Sequence, residues 1–91
     1  MTEYQQRVQI INRLGLHARA AAKFVQTAGR YACDVWISRG EIRVHGKDIM
    51  EVMLLAASQG TWIDIHTIGQ DALSAKNALV LLIENRFDEA Q

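Results

Sequence analysis

The sequence predicts an α+β fold of two layers, with helices packed on one side of an antiparallel sheet. Three observations lead there. Four short segments alternate polar and apolar residues, two others carry apolar residues at helical spacing and a third opens on a helix-cap pair, and the two kinds interleave as β-α-β-β-α-β-α. Strands with one polar face need covering only on the other, which leaves the sheet open on one side. A length of 91 residues suits a single domain spanning 1–91.

The elements follow in order. From Glu3 to Ile11, Tyr4, Val8 and Ile10 alternate with Gln5, Arg7 and Gln9, while Gln6 interrupts the inner face. Residues 18–28 are alanine-rich, with Ala21, Phe24, Val25 and Ala28 on one stripe and Gly29 as a stop. Cys33, Val35 and Ile37 alternate with Asp34, Trp36 and Ser38 to give a second strand. Arg39-Gly40 then makes a tight turn into Glu41–His45, with Ile42 and Val44 inward. Asp48 with Glu51 three residues on is an N-cap pair for a helix over 49–57, which Gln59-Gly60 ends. Ile63 and Ile65 alternate with Trp62, Asp64 and His66 as the last strand. After Gly69, residues 70–87 form a helix with Asp71 in its first turn and Ala75, Ala78, Leu79, Leu82 and Ile83 inward.

Composition narrows the function. Net charge is zero and no basic stripe is present, which argues against nucleic acid and anionic membrane as partners. One cysteine, Cys33, leaves no internal disulfide and fits a reducing compartment. No basic segment leads into an apolar run and no apolar stretch reaches the roughly 18 residues of a span, so a cytoplasmic location is expected.

The chemistry concentrates in Asn12–Lys23, where a strand ends, the chain turns at Gly15, and His17 stands at the entrance of the alanine-rich helix. The first N–H groups of a helix lack intrahelical partners and carry partial positive charge, so an anion is welcome there. A neutral imidazole at that point can attack a phosphoryl group, and Arg19 supplies a permanent charge for its oxygens.

The segment Asn12–Ala22, the element order, Gly46-Lys47 followed by Ile49, Met50 and Met53, and Gln59-Gly60-Thr61 resemble the HPr family. These are the phosphocarriers of the bacterial phosphoenolpyruvate:sugar phosphotransferase system, with their nitrogen-branch relatives. The resemblance covers nearly the whole chain. It implies an open-faced sandwich with sheet order 1-4-2-3 and three helices on one face. It implies that His17 is phosphorylated on Nδ1 by enzyme I and passes the group to a histidine of an enzyme IIA domain. The chain would then be a stoichiometric carrier without turnover of its own, needing neither cofactor nor metal. Arg19 and the backbone of Ala18 and Arg19 would steady the phosphate. Leu14, Ala18, Arg19, Ala22 and Lys23, with Ile49, Met50 and Met53, would form the docking face. Two positions depart from the family pattern: Ala20 stands where proline is usual, and Asp48 stands at the serine that is a regulatory phosphorylation site in some members. An HPr-fold module that acts on regulatory protein targets by docking alone is the alternative.

Other residues have plainer expectations. His45 and His66 read as surface residues without a metal role. Met53 reads as more exposed than Met50, since flexible thioethers suit a surface that meets several partners. Trp36 and Trp62 point away from the helices and are expected to pair across neighbouring strands. The run Leu79–Ile83 exceeds what a one-faced helix needs, which makes weak self-association plausible.

Overall fold

The computed structural model describes residues 2–91. Strands β1 (Glu3–Gln9), β2 (Asp34–Arg39), β3 (Ile42–His45) and β4 (Trp62–Ile68) form one antiparallel sheet in the order β1-β4-β2-β3. Helices α1 (Ala18–Ala28), α2 (Ile49–Leu54) and α3 (Ala72–Glu84) provide the second layer, and a 3₁₀ turn at Arg86–Asp88 follows. The expected fold and sheet order are those observed.

Register explains why one face is apolar. Gln6 lies opposite Ile65, Ile65 opposite Ile37, and Ile37 opposite Val44, while Val8 faces Ile63. Side chains of one parity on all four strands therefore point into the core, where they meet Phe24, Leu79, Ile83 and Phe87, all fully buried. Gln6 does not break the strand, because its amide oxygen accepts a hydrogen bond from Lys76 Nζ at 2.9 Å. Thr67, fully buried, donates its hydroxyl to Ala72 O at 2.7 Å. Gly46 is required by close approach: a Cβ there would lie 2.5 Å from Val35 Cγ1 and 3.2 Å from Phe24 Cε1.

Several expectations need correction. Ile42 is 45% exposed, because β3 is a short edge strand and its first residue overhangs the core that Val44 reaches. Helix α2 stops at Leu54 instead of 57: Leu55 turns into the core and Ala56 takes φ 50°. Asp48 caps α2 as expected, accepting from the N–H groups of Met50 and Glu51, but Glu51 reaches past it to the N–H and ring of His45. These bonds, His45's backbone N–H foremost, hold the Glu51 carboxyl below its ordinary pKa. Helix α3 spans 72–84, not 70–87, and Asp71 precedes its first turn. The Asp71 carboxylate instead accepts from the N–H groups of Ala32 (2.8 Å) and Cys33 (2.9 Å), pinning the loop before β2.

Of the run Leu79–Ile83, three residues are buried, Leu82 is half-buried, and Leu81 alone faces solvent. Trp36 and Trp62 do face away from the helices, but they are not partners. Trp36 lies opposite His66 on β4 and His45 on β3, and Trp62 lies opposite Gln9 on β1. Trp36 instead stacks on His45 with ring centroids 4.3 Å apart and carries the Arg43 guanidinium over its face. His66 accepts from Arg43 and sits 3.1 Å from Glu3, so both histidines are engaged on the open face.

Two predictions follow from this packing. Phe24→Ala should cost about 3–5 kcal/mol in chemical denaturation, from lost burial and a residual cavity. For Asp71, the amide of Ala32 first and then the bonds from Cys33, against the opposing effect of burial, hold the folded carboxyl below 3.8. The unfolded chain therefore takes up this proton first; the stabilisation is present above pH 3.8 and lost as pH falls through the folded value. Asp71→Asn should flatten that acid limb, measured by denaturation midpoints across pH.

Candidate functional site

The site begins with a turn. Gly15 adopts φ 67°, and a Cβ there would lie 2.7 Å from Ala57 O and 2.9 Å from Ser58 Cα, so both conformation and space demand glycine. Asn12, fully buried, closes the turn: its backbone oxygen accepts from Gly15 N–H at 3.1 Å and its Nδ2 donates to Gly15 O at 2.8 Å. Leu16 then donates its N–H to Ala57 O at 2.8 Å, fixing the approach to α1.

His17 is the N-cap of α1, with extended backbone at φ −75° and ψ −179°. Its Nδ1 accepts the N–H of Arg19 at 3.3 Å, the role usually held by a serine or aspartate oxygen. Accepting that bond leaves Nδ1 without a proton, which places the ring proton on Nε2. The His17 side chain is 26% exposed, so the ring is seated but reachable. The N–H groups of Ala18 and Ala20 have no acceptor among the described residues, which adds two free donors beside the ring. Ala20 itself is fully buried beneath this turn.

Arg19 is exposed and lines an open cleft of about 420 Å³ together with Arg13, Leu14, Lys23 and residues 88–91. Three cations thus border one hollow next to His17. Of these, Lys23 does not stand free as a docking charge: its Nζ donates to Phe87 O at 2.7 Å and lies 3.9 Å from Asp88. Leu14, Ala18, Ile49, Met50 and Met53 are exposed and Ala22 half-buried, and Leu14 and Met50 are 66% and 71% exposed. Met50 is more exposed than Met53, the reverse of the expectation, and Leu54 at 71% belongs to the same apolar group. On a helix of six residues, Val52 takes the inward position and the others turn outward.

Glu89 is the residue that sequence reasoning missed. Its carboxylate contacts His17 Nε2 with one oxygen and accepts from Asn12 Nδ2 at 2.9 Å with the other. Burial raises its pKa, but the bonds from Asn12 and His17 and the charges of His17 and Arg19 outweigh this and hold it below the ordinary 4.5. The chain reaches this position because Arg86, Phe87 and Asp88 all take positive φ (56°, 52° and 63°), which folds Phe87 into the core and turns Glu89 back over the ring. Arg13 holds the segment further along, through its N–H to Gln91 O and its guanidinium to Gln91 Oε1, both 3.0 Å. Only an acidic residue just past the last helix hinted at this in the sequence.

Cys33 takes no part. Burial first, then the Asp71 carboxylate, push its thiol up to about 11, so it stays protonated and unreactive.

Comparison with known proteins gives the arrangement its context. Residues 4–85 match the family described as PTS HPr component, phosphorylation site. The phosphocarrier protein HPr of Pseudomonas aeruginosa is 59% identical over 85 residues, covering 92% of this chain and 94% of that one. Among solved structures, HPr-C-His from Thermoanaerobacter tengcongensis superposes with TM-score 0.93 at 40% identity, covering 97% of this chain and 99% of that one. An HPr dimer from the same organism gives TM-score 0.77 at 43% identity, covering 90% and 94%. A match along most of the chain, in sequence and in fold, places this protein in the HPr family of phosphocarrier components of the phosphotransferase system.

Proposed function

We propose that the protein accepts a phosphoryl group on His17 Nδ1 from enzyme I, charged by phosphoenolpyruvate, and passes it to a histidine of an enzyme IIA domain. The observation that carries this is the pairing of His17 Nδ1 with the first-turn N–H of Arg19, which leaves that nitrogen unprotonated at a helix start with free amides, while the exposed Arg19 side chain lines the adjoining cleft. The Nδ1 lone pair forms the new N–P bond as the donor's P–N bond breaks and its electron pair returns to the donor ring. The transition state of such transfers is loose, so positioning and positive charge supply most of the rate. The Arg19 N–H, released from Nδ1, turns to a phosphoryl oxygen, joined by the amide of Ala18 and the Arg19 guanidinium.

The docking face is built from the exposed apolar residues Leu14, Ala18, Ile49, Met50, Met53 and Leu54 with half-buried Ala22 around the site. Lys23 joins it when it releases Phe87 O. Asp48, as the cap of α2, offers no hydroxyl for phosphorylation and holds a carboxylate at that helix start. No helix among the described residues is long and apolar enough to cross a membrane, and the reading places the carrier in the cytoplasm, alone or weakly self-associated.

Incubation with enzyme I and phosphoenolpyruvate should yield an acid-labile adduct, absent in His17→Ala; an adduct that survives in that variant overturns the assignment. Arg19→Ala should slow phosphorylation by about 10²-fold or more, the scale of losing one preorganised charge contact, with Arg19→Lys intermediate. Gly15→Ala should slow it as well, because the forced shift at Ala57 moves the turn that carries His17, and the change is read by stopped transfer assays.

A further inference from the structure

The contact between Glu89 and His17 has a chemical consequence that the fold alone does not require. We propose that Glu89 is a positioning residue that holds the His17 proton on Nε2 throughout the transfer cycle, with Asn12 holding Glu89 in turn. The inference rests on His17 as the phosphoryl acceptor.

The geometry is a relay of three groups. Asn12 Nδ2 bridges Gly15 O at 2.8 Å and Glu89 Oε1 at 2.9 Å, which ties the carboxylate to the turn that carries the histidine. The second carboxylate oxygen accepts the Nε2 proton, and Nδ1 on the far side of the ring receives the Arg19 N–H. A carboxylate facing one imidazole nitrogen selects the tautomer that leaves the other nitrogen nucleophilic. Arg19 from α1, Arg13 from the preceding loop and Lys23 line the cleft beside Glu89 together with Asp88, and Lys23 is itself held by Asp88 and Phe87 O.

The proton count shows where Glu89 acts. Attack by neutral imidazole through Nδ1 leaves a ring that is phosphorylated on Nδ1, protonated on Nε2, and positively charged. A carboxylate at Nε2–H stabilises that charge and keeps the proton in place. When the acceptor attacks phosphorus, the Nδ1–P bond breaks toward a ring that departs as neutral imidazole, still protonated on Nε2. Loss of the Nε2 proton beforehand would leave an imidazolate as the leaving group, which departs far less readily. Glu89 therefore serves acceptance and release alike.

The test uses the full chain carrying ¹⁵N-histidine. In the unphosphorylated protein at alkaline pH, ring ¹⁵N shifts should report the Nε2–H tautomer alone, and Glu89→Gln should populate both. The adduct is then made with phosphoramidate, whose P–N bond breaks as ammonia leaves, so no donor protein is needed. In Glu89→Gln, and in the chain ended after Asp88, onward transfer from His17 to an enzyme IIA domain at alkaline pH should slow by about tenfold, and Glu89→Asp should restore part of both the tautomer and the rate. Amide shifts of Arg13 and Phe87 identify the Gln variant as still docked. A docked Glu89→Gln with the parent's tautomer and transfer rate overturns the proposal. If the parent takes no phosphate on His17, the acceptor reading fails, and the tautomer measurement still decides whether Glu89 sets the ring proton.

Discussion

One hydrogen bond organises the region: the Arg19 N–H donated to His17 Nδ1. It closes the start of α1 and at the same time orients the ring that the site depends on. A capping serine would have satisfied the helix equally well, but it would have offered no nitrogen nucleophile. Using a histidine for the cap joins a stability requirement to a chemical one. Any group that forms a bond to Nδ1 takes the acceptor away from the helix and must replace it. A phosphoryl oxygen at the same place can do so, which makes the exchange nearly neutral for the helix while the ring changes state.

The remainder of the fold supplies a fixed frame for that bond. The sheet presents one apolar face, α3 and Phe87 cover it, and α1 is anchored through Ala20, Ala21, Phe24 and Ala28. Close packing of this kind transmits displacement instead of absorbing it. The His17 ring is held from four directions: by its own helix, by the Gly15 turn, by the α2 exit through Ala57, and by the returning chain at Glu89. The ring keeps 26% of its side chain exposed, and the cleft lined by Arg19 and Glu89 adjoins it.

Much of this was legible in the sequence, and the exceptions share a cause. Alternation in β1, β2 and β4, the stripe of α1 and the Asp48 cap are local patterns, and local patterns read directly. The pairing of Trp36 with His45 instead of Trp62 depends on register, which a single strand does not encode. Ile42 is apolar and correctly phased, yet it overhangs the end of a four-residue edge strand. Glu89 lies 72 positions from His17, and it arrives there through three consecutive left-handed residues, none of them glycine, that no propensity predicts. The hold on Lys23 is invisible in the sequence for the same reason, since its acceptor, Phe87 O, is placed by that same turn. Ala20 fits its place for a reason visible only in three dimensions: its side chain is enclosed and its N–H is spare, so the position asks for something small or lacking a donor.

The carbonyl of Ala57 is shared by the two halves of this surface. It accepts from Leu16, one residue before His17, and it follows directly on Ala56, whose left-handed backbone ends the segment bearing Met53 and Leu54. Gly15 packs against the same oxygen at a distance that leaves no slack. On the proposed docking face, pressure from a partner on the methionine-rich helix would be delivered, through a single peptide unit, to the turn that carries the imidazole. Under that reading recognition and reactivity are mechanically in series, and a partner seated badly on the helix would misalign the ring as well.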